Sequence, residues 1–183
     1  MQTRAKIPQP RLATPADAGA INAIYNYYVR TSAATFQLDD ETTEERETEL
    51  RARPADQPMI VLESGGEVVA WGALSPFKSR CAYRDTIELT VYVRHDCHRR
   101  GYGRAIVQEL VQRARVSGYH TIVAASCEES LGSIALLQSL GFVEAGRLRQ
   151  VGSKFGRHLD VIYLQLMLGG EGAKRPSLTR GRE

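Results

Sequence analysis

The sequence predicts a single α/β (α+β) domain: a mixed central sheet flanked by helices, in the order β-α-α-β-β-β-α-β-α-β-β. Three observations carry this. Apolar residues switch repeatedly between a period of two and a period near 3.6. A strand, Ile87–Val93, runs through a glycine turn into an amphipathic helix and then a further strand. The 183 residues, 43% hydrophobic and 25% charged, suit one compact core. Residues 1–9 read as a loose lead-in, 10–168 as the domain, and 169–183, which lose all periodicity, as a flexible basic tail.

Thr14-Pro15-Ala16-Asp17 is a helix start, with Thr as N-cap, Pro in the first turn and an acid behind it. Ile21, Ile24, Tyr25 and Tyr28 follow at helical spacing. Thr42-x-x-Glu45 is a capping box opening a charged helix that ends before Pro54. Met59–Glu63 and Val68–Leu74 are apolar strands joined through Ser64-Gly65-Gly66-Glu67, a hairpin signal. In 87–93, Ile87, Leu89, Val91 and Val93 alternate with Glu88, Thr90 and Tyr92. The next helix carries Ile106, Val107, Leu110, Val111 and Ala114 on one stripe and closes at Gly118. Thr121–Ala125 is a buried strand. Ile134, Leu137 and Leu140 mark a short helix ending at Gly141. Val143–Val151 and Leu159–Leu168 are two strands around a turn at Gly152–Gly156.

Composition excludes several classes. A net charge of +3 is too small to advertise a nucleic-acid surface. No apolar run approaches the ~20 residues that span a bilayer, and the first residues carry no signal-peptide core, so a soluble cytoplasmic protein without membrane contact is expected. Cys81, Cys97 and Cys127 offer neither a disulfide framework nor a CxxC pair. His95, His98, His120 and His158 do not fall at metal-ligand spacing with Cys or acids, so no metal is expected.

The chemistry concentrates in Tyr92-Val-Arg-His-Asp-Cys-His-Arg-Arg-Gly101-Tyr-Gly103-Arg104. The first amides of a helix lack internal partners and lie at the positive end of its dipole. Glycines admit an anion close to the backbone, and Arg99, Arg100 and Arg104 add charge, so the turn suits a pyrophosphate. A helix start whose glycines serve only the turn is the plainer alternative. The P-loop pattern and GxGxxG are both absent, against a nucleotide triphosphatase or a dinucleotide fold. Glu88 is a lone acid in the strand Ile-Glu-Leu-Thr-Val-Tyr-Val; buried there it would make a better base, and exposed it would be an ordinary surface ion pair. Arg80 and Arg84 could grip a carboxylate or phosphinate in a forked way, or stand as loop arginines. Tyr83 could hydrogen-bond a substrate or pack, and Lys154 could contact substrate or pair with Asp160.

His98-Arg99-Arg100-Gly101-Tyr102-Gly103 resembles the signature of the GNAT acetyltransferase superfamily. Within it the chain resembles the phosphinothricin / methionine sulfoximine N-acetyltransferases over residues 11–168. The shared blocks are Ile24-Tyr25-Asn26, Thr35-Phe36, Arg80 through Val93, Ser133-Ile134-x-Leu136, Leu140-Gly141-Phe142 and Val151 through Val161. The resemblance implies the GNAT acyl-CoA N-acyltransferase fold, acetyl-CoA as co-substrate, and a homodimer. It implies that the backbone of Val91, Tyr92 and Val93 and residues Arg99, Arg100, Gly101, Tyr102, Gly103 and Arg104 hold the CoA arm and pyrophosphate, with Ser130 and Ser133 beside them. Glu88 matches the general base, and Phe36, Arg80, Tyr83, Arg84 and Lys154 fall in segments lining the amine site. Two positions depart from the family. Ser130 replaces Asn, and is expected still to cap its helix. Leu137 replaces a His or Tyr placed near the CoA sulfur, and leucine can neither orient a base nor protonate a thiolate; slower or differently specific turnover is expected, with Tyr163 as a possible substitute.

The expected function is therefore acetylation of the primary amine of a small amino-acid-like substrate, by direct attack in a ternary complex. No cysteine stands in a motif for a covalent acetyl-enzyme. The alternatives are a GNAT enzyme for a polyamine, an aminoglycoside or a protein N-terminus, and a catalytically impaired acyl-CoA-binding regulatory module.

Overall fold

The structure, a computed structural model, describes residues 7–169; of the basic tail expected over 169–183, all but Gly169 lies outside them. Seven strands form one sheet: β1 (Arg11–Leu12), β2 (Met59–Ser64), β3 (Glu67–Pro76), β4 (Thr86–Val93), β5 (Thr121–Cys127), β6 (Val143–Lys154) and β7 (Arg157–Met167). The helices are α1 (Ala18–Thr31), α2 (Thr43–Ala52), α3 (Tyr102–Val116) and α4 (Leu131–Gln138). The strand order is β1-β2-β3-β4-β5-β7-β6, and every neighbouring pair is antiparallel except β4–β5. The parallel pair is the one joined through α3, since parallel neighbours need a crossover.

Local chemistry sets the helix starts as the sequence predicts. Asp17 Oδ2 accepts from the Thr14 amide (2.7 Å) and hydroxyl (3.0 Å), closing a capping box at a 3-10 turn that leads into α1. The Thr42 hydroxyl accepts from the Glu45 amide at 3.2 Å and Glu45 returns to the Thr42 amide at 2.8 Å. Both faces of the sheet are covered. Ile87, Leu89, Ile122, Ala124, Ile162 and Leu164 pack with Ile106, Val107 and Leu110 of α3 and Leu137 of α4. On the other face Val61, Trp71 and Ala73 pack with Ile21 and Ile24 of α1, with Tyr92 against them.

The last hairpin departs from the sequence reading. Its turn is only Phe155-Gly156, both at positive φ (53° and 71°), and Gly152 lies inside β6 opposite Leu159. Gly152 is there for a different reason. A Cβ on it would stand 2.2 Å from Phe36 Cε1, so the missing side chain is what lets the hairpin close on the α1–α2 loop.

Candidate active site

The site is built where β4 and β5 part. Their ladder joins only Thr86–Thr121, Ile87–Ile122 and Glu88–Val123, while β4 runs on to Val93 and β5 to Cys127. The Arg94 amide donates to Val69 O at 2.8 Å, so by antiparallel alternation the polar backbone groups of Tyr92 and Thr90 also face β3. Those of Leu89, Val91 and Val93 face the other way: the Leu89 amide closes the last rung with β5, and Val91 and Val93 lie beyond it beside the opening. Val91 and Val93 thus turn their backbone groups toward the β5 side. Tyr92 does not: its amide and carbonyl belong to the β3 ladder, and its ring stacks on Trp71 at 5.2 Å with its hydroxyl on Ala34 O at 3.2 Å. The Val93 carbonyl is held in turn by the Tyr28 hydroxyl, which lies 2.7 Å from His98 Nε2.

At the end of β4 the chain turns through His95–Cys97 and Arg99, at φ +62°, to Gly101 at φ +88°, the left-handed residue that starts α3. Gly103 brings this turn close to its neighbours: a Cβ there would stand 3.1 Å from Leu136 and 3.3 Å from Val93. Arg99 and Arg100 are exposed, Arg100 donating to Asp96 O at 3.3 Å, and Arg104 donates to the Ser139 hydroxyl at 2.7 Å. The free amides of α3 and these cations therefore sit at the mouth of the β4–β5 opening, a fit for a phosphorylated ligand. Ser133 lies half-buried in the first turn of α4. Ser130 caps that helix through its carbonyl, 2.9 Å from the Ser133 amide, and not through its hydroxyl, contrary to expectation.

Glu88 is the last β4 residue paired to β5. It shares a sheet face with Thr90 and Tyr92, opposite the α3 core. It is half-buried, and burial raises its carboxyl pKa, with Lys78 opposing the shift. Cross-strand register puts Val123 and Ala125 of β5, and Gln165 and Tyr163 of β7, on this same face. Ala125 is exposed although its strand is interior to the sheet. An exposed residue there means that neither α1 nor α4 roofs this spot, and the floor beside Glu88 is an open well. Ala33, Phe36, Cys127 and Leu159 form a small apolar cluster beside it.

The predicted amine-site residues fall in two separate places. Arg80, Tyr83 and Arg84 lie on and beside the 3-10 turn Cys81–Tyr83, immediately before β4. Arg80 and Tyr83 are exposed, Tyr83 standing edge-on to Phe77 at 5.8 Å, and Arg84 Nε is 3.7 Å from Asp85. Phe36 is wedged against Gly152. Lys154 is only 4% exposed and its ammonium donates to Thr35 O at 2.7 Å. Of the two alternatives for it, the pairing with Asp160 does not form, because Lys154 stands opposite Arg157 at the turn; Asp160 instead receives the Gln150 amide (2.9 Å) and Arg147 (3.4 Å). Lys154 thus ties the hairpin to the Thr35–Phe36 loop, and burial lowers its pKa. Leu137, 1% exposed, fills the core under α4. Sequence reasoning missed Ala125 and Gln165, whose place depends on strand register, and Lys78, whose only signal was its nearness in sequence to Arg80. Among the described residues no His/Cys/Asp/Glu group could hold a metal, and no helix is long and apolar enough to cross a membrane.

A sequence profile of the acetyltransferase (GNAT) domain matches residues 11–163. The chain belongs to the GNAT acetyltransferases. The L-amino acid N-acyltransferase MnaT of Escherichia coli (strain K12) is 37% identical over 159 residues, covering 86% of this chain and 92% of that protein. An L-methionine sulfoximine/L-methionine sulfone acetyltransferase of Salmonella typhimurium is 37% identical over 160 residues, 86% and 93% of the two chains. A phosphinothricin acetyltransferase from Sinorhizobium meliloti, solved in complex with acetyl-CoA, superposes with a TM-score of 0.87 at 30% identity over 96% of this chain and 95% of that one. This GNAT protein is thus an acetyl-transferring enzyme.

Proposed function

We propose that this acetyltransferase moves the acetyl group of acetyl-CoA to the primary amine of a small amino-acid-like substrate of the methionine sulfoximine or phosphinothricin type. One observation carries the reading: Glu88 sits at the fork where the β4–β5 ladder ends, next to an open well on the sheet. Relatives covering most of the chain are named for such acceptors. The pantetheine arm lies in the opening along Val91 and Val93, with its pyrophosphate on residues 99–104, so the thioester reaches the fork. The amine enters from the well, its acid group held by Arg80 and Arg84.

An ammonium has no lone pair, so Glu88 first takes its proton, directly or through a water. The amine nitrogen then bonds to the thioester carbon in the ternary complex. The Val91 amide, facing the opening beyond the last β4–β5 rung, is the donor for the oxyanion. Collapse breaks the C–S bond; the attacking nitrogen gives up its second proton as the amide forms, and the leaving thiolate takes up one, so one proton remains on Glu88 for release to solvent. Leu137 cannot supply the thiolate's proton; Tyr163, half-buried on the same sheet face as Glu88, is the phenol placed to do so. No cysteine enters the route: Cys97 and Cys127 are buried and Cys81 lies on the outer turn. The three unpaired thiols suit the cytoplasm. The chain acts as a homodimer through its edge strand β6, which exposes Val143, Leu148 and Val151.

A thiol-release assay with acetyl-CoA and a panel of amines tests this. Methionine sulfoximine, methionine sulfone and glutamate analogues should be turned over; polyamines and aminoglycosides should not. Release with cationic amines alone would overturn the substrate class. Donor binding with no turnover of any amine would instead show a regulatory module.

A further inference from the structure

Beyond its last rung with β5, the backbone of β4 has no strand on that side, so each polar group facing it needs another partner. The Val93 carbonyl has two. The Tyr28 hydroxyl, reaching across from α1, donates to it, and His98 Nε2 lies 3.3 Å away. His98 Nε2 is also 2.7 Å from the Tyr28 hydroxyl. The three groups thus close a triangle across residues 93–98, the stretch that leads from β4 to the left-handed Arg99 and Gly101. The rings agree with this arrangement. Those of Tyr28 and His98 lie 17° from parallel with centroids 6.3 Å apart, and beside them Tyr27 stacks on His95 at 4.0 Å.

Counting protons fixes which group donates. A phenol has one proton to give. Burial pushes the Tyr28 phenol up to about 12, with Tyr27 and Asp96 adding to the shift, so it is protonated near neutral pH. That proton is committed to the Val93 carbonyl. The bond between Tyr28 and His98 must then take its proton from the imidazole, so His98 carries a proton on Nε2 and donates to the phenol oxygen. His98 is exposed, so its ring is held by these contacts and not by burial. The Val93 carbonyl is engaged in this way, which leaves the amide of the same residue to face a ligand in the opening. The Arg94 amide, bonded to Val69 O at 2.8 Å, ties the other side of the strand end to β3.

We propose that Tyr28 and His98 are positioning residues for the acetyl-CoA donor: their cap on the Val93 carbonyl joins the end of β4 and the start of the phosphate-binding turn into one rigid unit. The proposal rests on Val91, Val93 and residues 99–104 holding the donor, and the test separates the two. KM for acetyl-CoA and for methionine sulfone is measured in the parent, in Tyr28→Phe, in His98→Ala, in His98→Gln, which keeps an N–H donor, and in Arg99→Ala with Arg100→Ala. Tyr28→Phe and His98→Ala should each raise KM for acetyl-CoA roughly three- to tenfold, the worth of one hydrogen bond, and leave KM for methionine sulfone unchanged. His98→Gln should stay within about twofold of the parent. Long-range proton–nitrogen NMR of the neutral imidazole in the unsubstituted protein should find its proton on Nε2, a readout that needs no variant to fold. If Tyr28→Phe and His98→Ala leave the acetyl-CoA KM at its parent value while the arginine pair raises it, the cap alone is overturned. Equal rises for donor and amine would also overturn it, as a general loosening of α1, and so would His98→Gln as impaired as His98→Ala. A neutral imidazole protonated on Nδ1 would overturn the donor assignment on which the cap depends. No effect of the arginine pair on acetyl-CoA would overturn the donor reading and the proposal together.

Discussion

The contact between Gly152 and Phe36 is the most direct handle on how the last hairpin closes on the α1–α2 loop. A Cβ on residue 152 would lie 2.2, 2.3 and 2.7 Å from Phe36 Cε1, Cζ and Cδ1. Carbon atoms at optimal separation are about 3.5 Å apart, so one partner must retreat by roughly 1.3 Å. The ring is packed with Ala33, Cys127 and Leu159, and the hairpin is anchored by Lys154 on Thr35 O, so neither moves freely. Overpacking of this kind costs about 1–3 kcal/mol. Gly152→Ala should therefore lower the urea midpoint without changing the slope, and raise KM for the amine while leaving KM for acetyl-CoA alone. Phe36→Ala removes the ring, and adding Gly152→Ala to it should cost well under 1 kcal/mol, giving a coupling of about 1 kcal/mol or more in a double-mutant cycle. If Gly152→Ala proves neutral, or costs the same with and without Phe36, the close approach is not what fixes a glycine there.

Asp17 receives the Arg11 guanidinium (2.7 and 2.8 Å) and two groups of Thr14, and these bonds hold its pKa down to about 2. A carboxyl depressed in the folded state stabilises above its unfolded pKa and loses that contribution as pH falls toward 2, so Asp17→Asn should cost roughly 2 kcal/mol at pH 7 and little at pH 2, read from urea melts at both. Glu88 has the opposite sign. Its raised pKa makes the folded state bind the proton more tightly, so its stability contribution falls as pH rises past its ordinary range; Glu88→Gln should be at least as stable as the parent at pH 7 in a thermal melt, and a clear loss would contradict the burial argument. Arg80→Ala and Arg84→Ala should each raise KM for an acidic acceptor about tenfold with kcat/KM for an acceptor lacking the acid group unchanged, and equal effects on both would remove the carboxylate-gripping role.

What the sequence disclosed was what neighbours in sequence decide. Both capping boxes, the Ser64–Glu67 hairpin and the strand-turn-helix around Gly101 depend on residues a few positions apart, and each was legible. The β6–β7 turn was not, because a glycine kept for a close approach to Phe36 looks the same in sequence as one kept for a turn. The Lys154–Asp160 pair failed for want of the hairpin register, which sets Arg157 opposite Lys154. Tyr92 looked like its neighbours Val91 and Val93 until alternation sent its backbone to β3. The well at Ala125 was the least legible feature, since it exists through the absence of cover from elements distant in the chain, whereas Leu137, on the apolar stripe of its short helix, packs as core.

The central claim is that Glu88 removes the proton from the acceptor amine, and the pH dependence of kcat/KM with methionine sulfone tests it most directly. In the parent the rate should rise with pH through the elevated ionisation of Glu88. In Glu88→Gln that limb should vanish, with the greatest loss at low pH, where the amine is almost wholly protonated, and partial recovery at high pH, where the free amine no longer needs a base. An unchanged rate and profile in Glu88→Gln would contradict the account.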